Sequence, residues 1–407
     1  MKVIFKMGFL FGALVGCEGG SADSADSELG IVGLDNPGNP IADLADEWQE
    51  RFLDGDAKFE TPFLDTQGLG PVYIRTSCGA CHTSDGRGPG TVNKMVLVGE
   101  DGLTPLDDQS ALPWGHTVRP YVAGGAITPL NPPDDVPGLL LTRRMPPPVL
   151  GRGYVDAVLD SEIERVAAEQ AARTDGIHGR ANHVTYQSQR DPDNEFHSLD
   201  YGDPVVGRFG LKARIATADD FAADAFQGDM SLTSPFRPDE LPNPDGLVDD
   251  DHTGLDLDLE TVTRTADYIR LLEIPARTAH PAGAQAFEDV GCAVCHAPSL
   301  RTRADYPVPE LADVDAPIYS DLLLHDMGAS LGDGIAEGEA GPRDWKTSPL
   351  IGLRFQIYFL HDGSATSVED AILRHGEEGS EAAPVVAAFE SLDPDERRAL
   401  VEFVESL

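Results

Sequence analysis

The chain has 407 residues, of which 41% are apolar, so it is long enough for two or three domains with a buried core. Acidic residues number 70 against 30 basic ones, which gives a formal net charge of −40. So acidic a surface repels nucleic acid and anionic lipid, and it serves either to attract a small basic partner or to keep the protein soluble in a salty habitat.

The N-terminus has the pattern of an export signal. Two lysines precede an apolar run that is too short to span a bilayer and that ends at Cys17. The tetrapeptide Leu14-Val15-Gly16-Cys17 resembles a bacterial lipobox, which predicts a lipid anchor on Cys17. An ordinary signal peptide with an incidental cysteine is the alternative. We therefore predict a lipoprotein-type signal peptide at 1–17, a flexible tether at 18–40, and a location on the periplasmic side of a bacterial membrane.

Helical patterns occur on both sides of a long irregular stretch. The first helix is predicted over 41–53, and residues 83–150 are rich in glycine and proline and are predicted to be largely irregular. Tyr154–Arg173 and a segment from Thr217 to Phe226 then have helical spacing. The last predicted helices are one with an apolar face from Leu255 to Ile269, a short one at 282–290, and a closing helix capped at Asp393.

Four of the five cysteines form two copies of one motif, Cys78-Gly-Ala-Cys81-His82 and Cys292-Ala-Val-Cys295-His296. A structural zinc site would need the two pairs close together, and more than 200 residues separate them. A redox-active pair would not need the histidine. CxxCH is the attachment signature of c-type haem, in which the thiols bind the porphyrin and the histidine is the proximal iron ligand. The sequence therefore predicts two haem c groups.

The order of elements around each motif indicates the fold class. A helix, a CxxCH motif, an irregular loop and a closing helix make up a small cytochrome c domain. We predict a mainly α protein with two cytochrome c-like haem domains. The N-terminal one covers 41–275 and is enlarged by irregular insertions, and the C-terminal one covers 276–407.

Five blocks of sequence carry a family resemblance: Arg144–Gly153, Gly207–Ala213, Gly228–Ser234, Tyr319–Gly328 and Leu360–Gly376. Together they resemble the bacterial di-haem oxidoreductase family, which is related to di-haem cytochrome c peroxidases and MauG-like proteins. The resemblance extends from about residue 45 to the end of the chain. It implies a peroxidase-type oxidoreductase, and in some relatives a calcium ion lies between the domains.

The ligand on the distal side of each iron, opposite the proximal histidine, distinguishes an electron-transfer haem from a catalytic one. An iron with two strong ligands mainly transfers electrons. His375 is the predicted distal ligand of the second haem, and it would make a bis-histidine centre. A solvated histidine at a helix C-terminus is the alternative. His361 belongs to a His-Asp-Gly turn that the relatives share, and we expect it near the region between the haems.

A weak internal repeat bears on the first haem. If Ala157 is aligned with Ala371, the position equivalent to His375 is Ser161, which is not a usual haem ligand. The first haem is then predicted to lack a distal ligand and to bind peroxide. Glu162 or Asp156 would move a proton between the peroxide oxygens, unless these carboxylates lie on a solvated helix face.

Two functions from different classes follow. In the first, the C-terminal haem relays electrons from a small basic donor protein, such as a cytochrome, to an N-terminal haem that reduces hydrogen peroxide or a related substrate. In the second, the protein is a non-catalytic di-haem electron carrier. Thiol chemistry is excluded, because haem attachment and lipidation leave no free cysteine.

Overall fold

A computed structural model describes residues 37–83, 90–247 and 254–407. The predicted signal peptide, most of the tether and Cys17 lie outside these ranges. Within them, helix is the main regular structure, and no described helix is long and apolar enough to cross a membrane. The helices are α1 (Asp46–Glu60), α2 (Arg152–Ala157), α3 (Asp160–Ala171), α4 (Ala218–Met230), α5 (Leu259–Leu271), α6 (Pro281–Asp289), α7 (Val368–Arg374), α8 (Ala383–Ser391) and α9 (Pro394–Ser406).

The strands are short and form antiparallel pairs. The pairs are β1 (Val72–Tyr73) with β3 (Tyr121–Val122), β2 (Val92–Leu97) with β4 (Leu139–Arg144), β5 (Asn182–Thr185) with β6 (Pro204–Gly207), β7 (Leu300–Arg301) with β8 (Asp315–Ala316), and β9 (Leu324–Asp326) with β10 (Asp344–Lys346). The prediction that 83–150 is largely irregular missed β2 and β4, which pair over six residues each. The long loop between them carries no hairpin signal, so their pairing depends on tertiary structure.

The helices follow their sequence signals closely where the signals are local. Thr217 caps α4 as predicted, and its hydroxyl accepts a hydrogen bond from the Asp220 N–H at 3.2 Å. Asp393 forms the predicted capping box at the start of α9. The predicted helix at 41–53 begins later, at Asp46, because the Ile41 N–H donates to the Leu271 carbonyl at 2.8 Å and a turn with a positive φ at Asp43 follows.

The predicted helix Tyr154–Arg173 is broken into α2 and α3. Val158 has an extended backbone and forms an isolated bridge with Thr302, and its carbonyl also accepts a hydrogen bond from Arg208. These partners lie far along the chain, so the helical spacing of the segment could not reveal the break.

Among the apolar core clusters of the described residues, two divide the second half of the chain between them. The larger one joins Trp48 and Tyr154 of the first half to Leu311, Ile318 and other residues between 300 and 351. The smaller one surrounds the second CxxCH motif and consists of Phe287, Phe389, Leu400, Phe403 and their neighbours. The first half and the segment 300–351 therefore share a core, and the last helices form their own core around the second motif.

Two candidate haem-binding sites

Each CxxCH motif folds into a single helical turn. The His82 N–H donates to the Cys78 carbonyl at 2.9 Å, and the His296 N–H donates to the Cys292 carbonyl at 2.9 Å. Residues four apart lie on the same face of such a turn. The first thiol and the histidine of each motif are therefore neighbours, as attachment of one haem requires.

The thiols are held in their neutral form. Burial raises the pKa of Cys78 to about 12 and that of Cys292 to about 12, and it raises the pKa of Cys81 to about 11. Reactive or redox-active cysteines have a depressed pKa, because the thiolate is the nucleophile. The surroundings of these cysteines thus do not favour thiol–disulfide chemistry.

The second motif opens onto a cavity with mostly apolar walls. His296 and the cysteines of the motif line one part of it, and His375 lines another. The apolar lining includes Phe287, Val368, Ile372, Val386, Phe389 and Leu400. An apolar cavity with a pair of thiols and two imidazoles suits a flat macrocycle that carries an iron.

The two histidines of this cavity are in the form that binds a metal. His296 Nδ1 lies 3.1 Å from the Tyr319 carbonyl, and His375 Nδ1 lies 2.6 Å from the Ala371 carbonyl. A carbonyl at this distance requires the proton on Nδ1, so Nε2 keeps its lone pair. Burial, followed by the proximity of His375, lowers the pKa of His296 to about 4, and burial also lowers that of His375. Both imidazoles are therefore neutral, and the residues fit a haem.

His375 is placed by the short helix α7. Ser367 caps the start of this helix, because its hydroxyl accepts a hydrogen bond from the Asp370 N–H at 3.1 Å. The helix ends at Arg374, and His375 is its C-cap residue. Its imidazole is turned into the cavity, which differs from the solvated helix end considered as the alternative.

The first motif lies between α1 and the C-terminal end of α4. The Phe59 ring of α1 packs against His82 with 6.0 Å between ring centroids. The backbone carbonyl of Asp229, near the end of α4, accepts from the Ile74 N–H at 2.7 Å, which fixes the helix end beside the motif. The Asp229 carboxylate is close enough to contribute to the raised pKa of both Cys78 and Cys81.

Asp229 is a half-buried carboxylate in a charged pocket. Burial and the nearby Asp224 raise the pKa of Asp229 to about 6, although Lys94, Arg119 and Arg214 act in the opposite direction. Asp224 is itself paired with Arg214 and lies 2.8 Å from Arg237. Asp229 has no ion pair within 4.0 Å among the described residues. Asp229 lies in the family block Gly228–Ser234, but no spacing rule marks this residue in the sequence.

The carboxylates predicted from the internal repeat are engaged elsewhere. Asp156 accepts from Arg270 Nε at 2.9 Å, from the Tyr306 hydroxyl at 2.8 Å and from the Ala218 N–H at 3.0 Å. Glu162 forms two hydrogen bonds of 2.8 Å with Arg165 on the same helix, and this bonding lowers its pKa. Both carboxylates therefore have structural partners in the described part of the chain. Their proposed proton transfer stays a prediction.

His361 lies at the wall of the second cavity. Its ring stacks on Trp345 at 3.8 Å between centroids with the planes 17° apart. Burial lowers the pKa of His361 to about 4, so its imidazole is neutral. Lys212 lies over the other side of this pair, 4.2 Å from the Trp345 ring.

A network of polar side chains contacts the turn of the second motif. His325 lies 2.9 Å from Asp321 and 2.8 Å from Glu381, and the coulombic pull of Asp321 outweighs burial and raises its pKa. Gln170 of α3 donates to Asp321 at 2.7 Å and to the Val294 carbonyl at 2.9 Å. His325 belongs to the family block Tyr319–Gly328, and no spacing pattern indicates a role for it. With Cys295 it forms a group of metal-binding side chains, but sulfur and nitrogen ligands do not suit calcium.

Two CxxCH turns, one of which shares an apolar cavity with a second histidine, fit a protein that binds two haem groups. The chain matches the model of the family described as "Di-haem oxidoreductase, putative peroxidase" over residues 15–101 and 133–407, and it belongs to this family. It is accordingly an oxidoreductase of the di-haem peroxidase type with two haem groups. No curated protein matches the chain.

Solved structures show a distant likeness. A hydrazine synthase from Kuenenia stuttgartiensis is 14% identical, with a TM-score of 0.37, over 98% of this chain and 100% of the other. The Y463M variant of the diheme peroxidase BthA from Burkholderia thailandensis is 15% identical, with a TM-score of 0.33, over 84% of this chain and 78% of the other.

Proposed function

We propose that the protein reduces hydrogen peroxide, or a related small substrate, at the site of Cys78–His82 and receives the electrons through the site of Cys292–His296. The observation that supports this division is the pair of histidines, His296 and His375, at one cavity. Two strong ligands leave an iron no open position, so the second site suits electron transfer. When bound, the haems supply the electron transfer and the redox chemistry.

The residues of the first site would manage protons. Reduction of one hydrogen peroxide to two waters consumes two electrons and two protons, so a group that exchanges protons near neutral pH is needed. Asp229 fits this role, because it lies beside the attachment thiols and its pKa is about 6. As a carboxylate it would accept a proton from one peroxide oxygen and return it to the other.

The proposal extends to the location and the partners of the protein. Export, a lipid anchor on Cys17 and a periplasmic location agree with the attachment of c-type haem outside the cytoplasm. The excess of acidic residues favours a small basic electron donor. Two cytochrome c-like units, 41–275 and 276–407, remain the proposed division of the chain, and a calcium ion between them remains a proposal from the family.

Electron paramagnetic resonance of the holoprotein tests the function. We expect a high-spin ferric signal in the fully oxidised or the half-reduced protein, and we expect it to be lost when peroxide or cyanide is added. Replacement of His82 by glycine should remove that signal, whereas replacement of His183, an exposed histidine paired with Glu164 and Glu339, should not. Only low-spin signals in both states, with no response to peroxide, would show an electron carrier instead.

A further inference from the structure

The wall of the second cavity contains a buried cation. Lys346 lies at the end of β10, lines the cavity and is 8% exposed. Its ammonium has a single hydrogen bond, to the Thr347 carbonyl at 3.3 Å, and it forms no ion pair with a described residue. Burial, reinforced by Arg152 and opposed by Asp321, lowers the pKa of Lys346 to about 7. Asp321 does not come within 4.0 Å of the ammonium, so the described residues leave it without an ion pair.

Two other buried cations among the described residues, Lys212 and Arg144, are paired with carboxylates. Lys212 is completely buried, and its ammonium lies 3.2 Å from Asp333 and donates to the carbonyls of Gly341 at 2.8 Å and Asp344 at 2.9 Å. Arg144 is similarly bonded to Asp333 and Glu337. Buried charges in proteins are normally paired, because an isolated one has a large desolvation penalty. Lys346 departs from this rule where a bound group could supply the missing charge.

We propose that Lys346 binds a propionate carboxylate of the haem attached at Cys292 and Cys295. A haem is an apolar macrocycle with two carboxylates, and the cavity is an apolar space with one such cation in its wall. Among the described lining residues, Lys346 is the sole lysine or arginine. The inference rests on the haem at the second site and does not depend on peroxide being the substrate.

This contact would set the redox properties of the second site. A bis-histidine haem has a lower reduction potential than one with histidine and methionine ligands, and a buried positive charge close to the haem raises the potential because it favours the added electron. Lys346 would thus oppose the effect of His375. The pair of residues would place the potential of the second haem between that of a donor and that of the first haem.

Spectroelectrochemical titration of the holoprotein tests this inference. We expect Lys346→Met to lower the midpoint potential of one haem, to leave the other unchanged, and to shift the propionate bending bands in the resonance Raman spectrum. Lys346→Arg, which keeps the charge, should restore both readouts towards wild type. Lys58→Met is the matched control, since Lys58 lies on α1 and pairs with Asp54 at 3.8 Å, and it should change neither.

The possible outcomes are distinct. If Lys346→Met binds both haems and its potentials and propionate bands equal those of wild type, the inference is wrong. If Lys346→Met does not yield holoprotein, Lys346→Gln keeps a hydrogen-bond donor without the charge, and the same lowered potential is expected. If Lys346→Met does not shift the midpoint potential, the peroxidase proposal is unaffected. If the potential shifts but the protein does not turn over peroxide, only the proposed substrate is wrong.

Discussion

His296 and His375 line one cavity, and each imidazole is oriented by a backbone carbonyl, that of Tyr319 at 3.1 Å and that of Ala371 at 2.6 Å. Both Nε2 atoms are thereby left to a metal. Orientation by a second hydrogen bond is the usual device for metal-binding histidines. The arrangement makes His375 the natural first target for mutation.

Replacement of His375 by alanine should open the second site. One strong-field ligand is lost, so we expect a new high-spin ferric signal and a higher midpoint potential for one haem. Added imidazole should reverse both changes, because it can fill the space of the missing side chain. The control is His183→Ala, whose histidine pairs with Glu164 and Glu339 at the surface. A spectrum of His375→Ala identical to wild type would show that His375 is not a ligand.

Asp229→Asn should increase the stability of the protein at pH 8 while it lowers the activity. The pKa of Asp229 in the folded protein is about 6, above its ordinary value of 3.8, so the folded state binds more protons than the unfolded state between these values. Its contribution to stability is therefore lost as pH rises from about 4 through 6. At pH 8 the asparagine variant should be more stable than wild type by about 1–2 kcal/mol, as measured by urea unfolding.

Although Asp229→Asn should stabilise the protein at pH 8, it should slow the turnover of peroxide. If Asp229 accepts a proton as a carboxylate, wild-type kcat/KM rises with pH through about 6. The asparagine variant should lose this rise and should turn over peroxide at least about 10-fold more slowly. A variant with wild-type kinetics and an unchanged pH profile would exclude Asp229 from proton transfer.

Gly283 allows α6 and α9 to approach closely. A Cβ atom at this position would lie 2.1 Å from the Ala399 carbonyl oxygen, so Gly283→Ala must push the helices apart. We expect a loss of about 1–3 kcal/mol in the free energy of unfolding, measured by urea denaturation monitored by circular dichroism. Gly228 on α4 is a matched control, since a Cβ there meets nothing within 4 Å, and Gly228→Ala should be neutral or slightly stabilising.

Arg270 holds three carboxylates in the interior of the first half. It is fully buried, bonds Asp156 at 2.9 Å and Asp267 at 3.3 Å, and also pairs with Asp219. Arg270→Met would leave these buried carboxylates without their cation, so we expect a loss of about 3–5 kcal/mol in unfolding free energy.

The control for this prediction is an exposed arginine with similar partners. Arg301→Met removes ion pairs with Asp313 and Asp315 at the surface, and it should change the unfolding free energy far less than Arg270→Met does, because water and salt screen an exposed pair. Equal effects of the two substitutions would mean that the buried network contributes no more than a surface pair.

Sequence could predict the features that depend on near neighbours. The CxxCH turns, the cap at Thr217 and the capping box at Asp393 are each defined within a few residues, and the structure shows the turns and confirms both caps. The family, the two haem groups and the oxidoreductase class follow from the CxxCH motifs and the family blocks, and the family match confirms them.

Features that depend on distant partners were beyond sequence reasoning. Val158 interrupts a helical pattern because it pairs with Thr302, and Asp229 becomes a candidate only because α4 ends beside Cys78. Lys346 is similar, since a lone lysine after a tryptophan gives no sign that it is buried in a cavity wall. In each case, chain segments separated by more than 100 residues create the environment.

The hydrogen bonds of Gln170 bear on how electrons move. This side chain belongs to α3 of the first half, yet it bonds the Val294 carbonyl inside the second attachment turn and Asp321 beneath it. In the proposed electron relay, this cross-link between the two halves would hold the distance between the two haem sites constant. Internal electron transfer should accordingly proceed at the same rate in water and in viscous glycerol solutions.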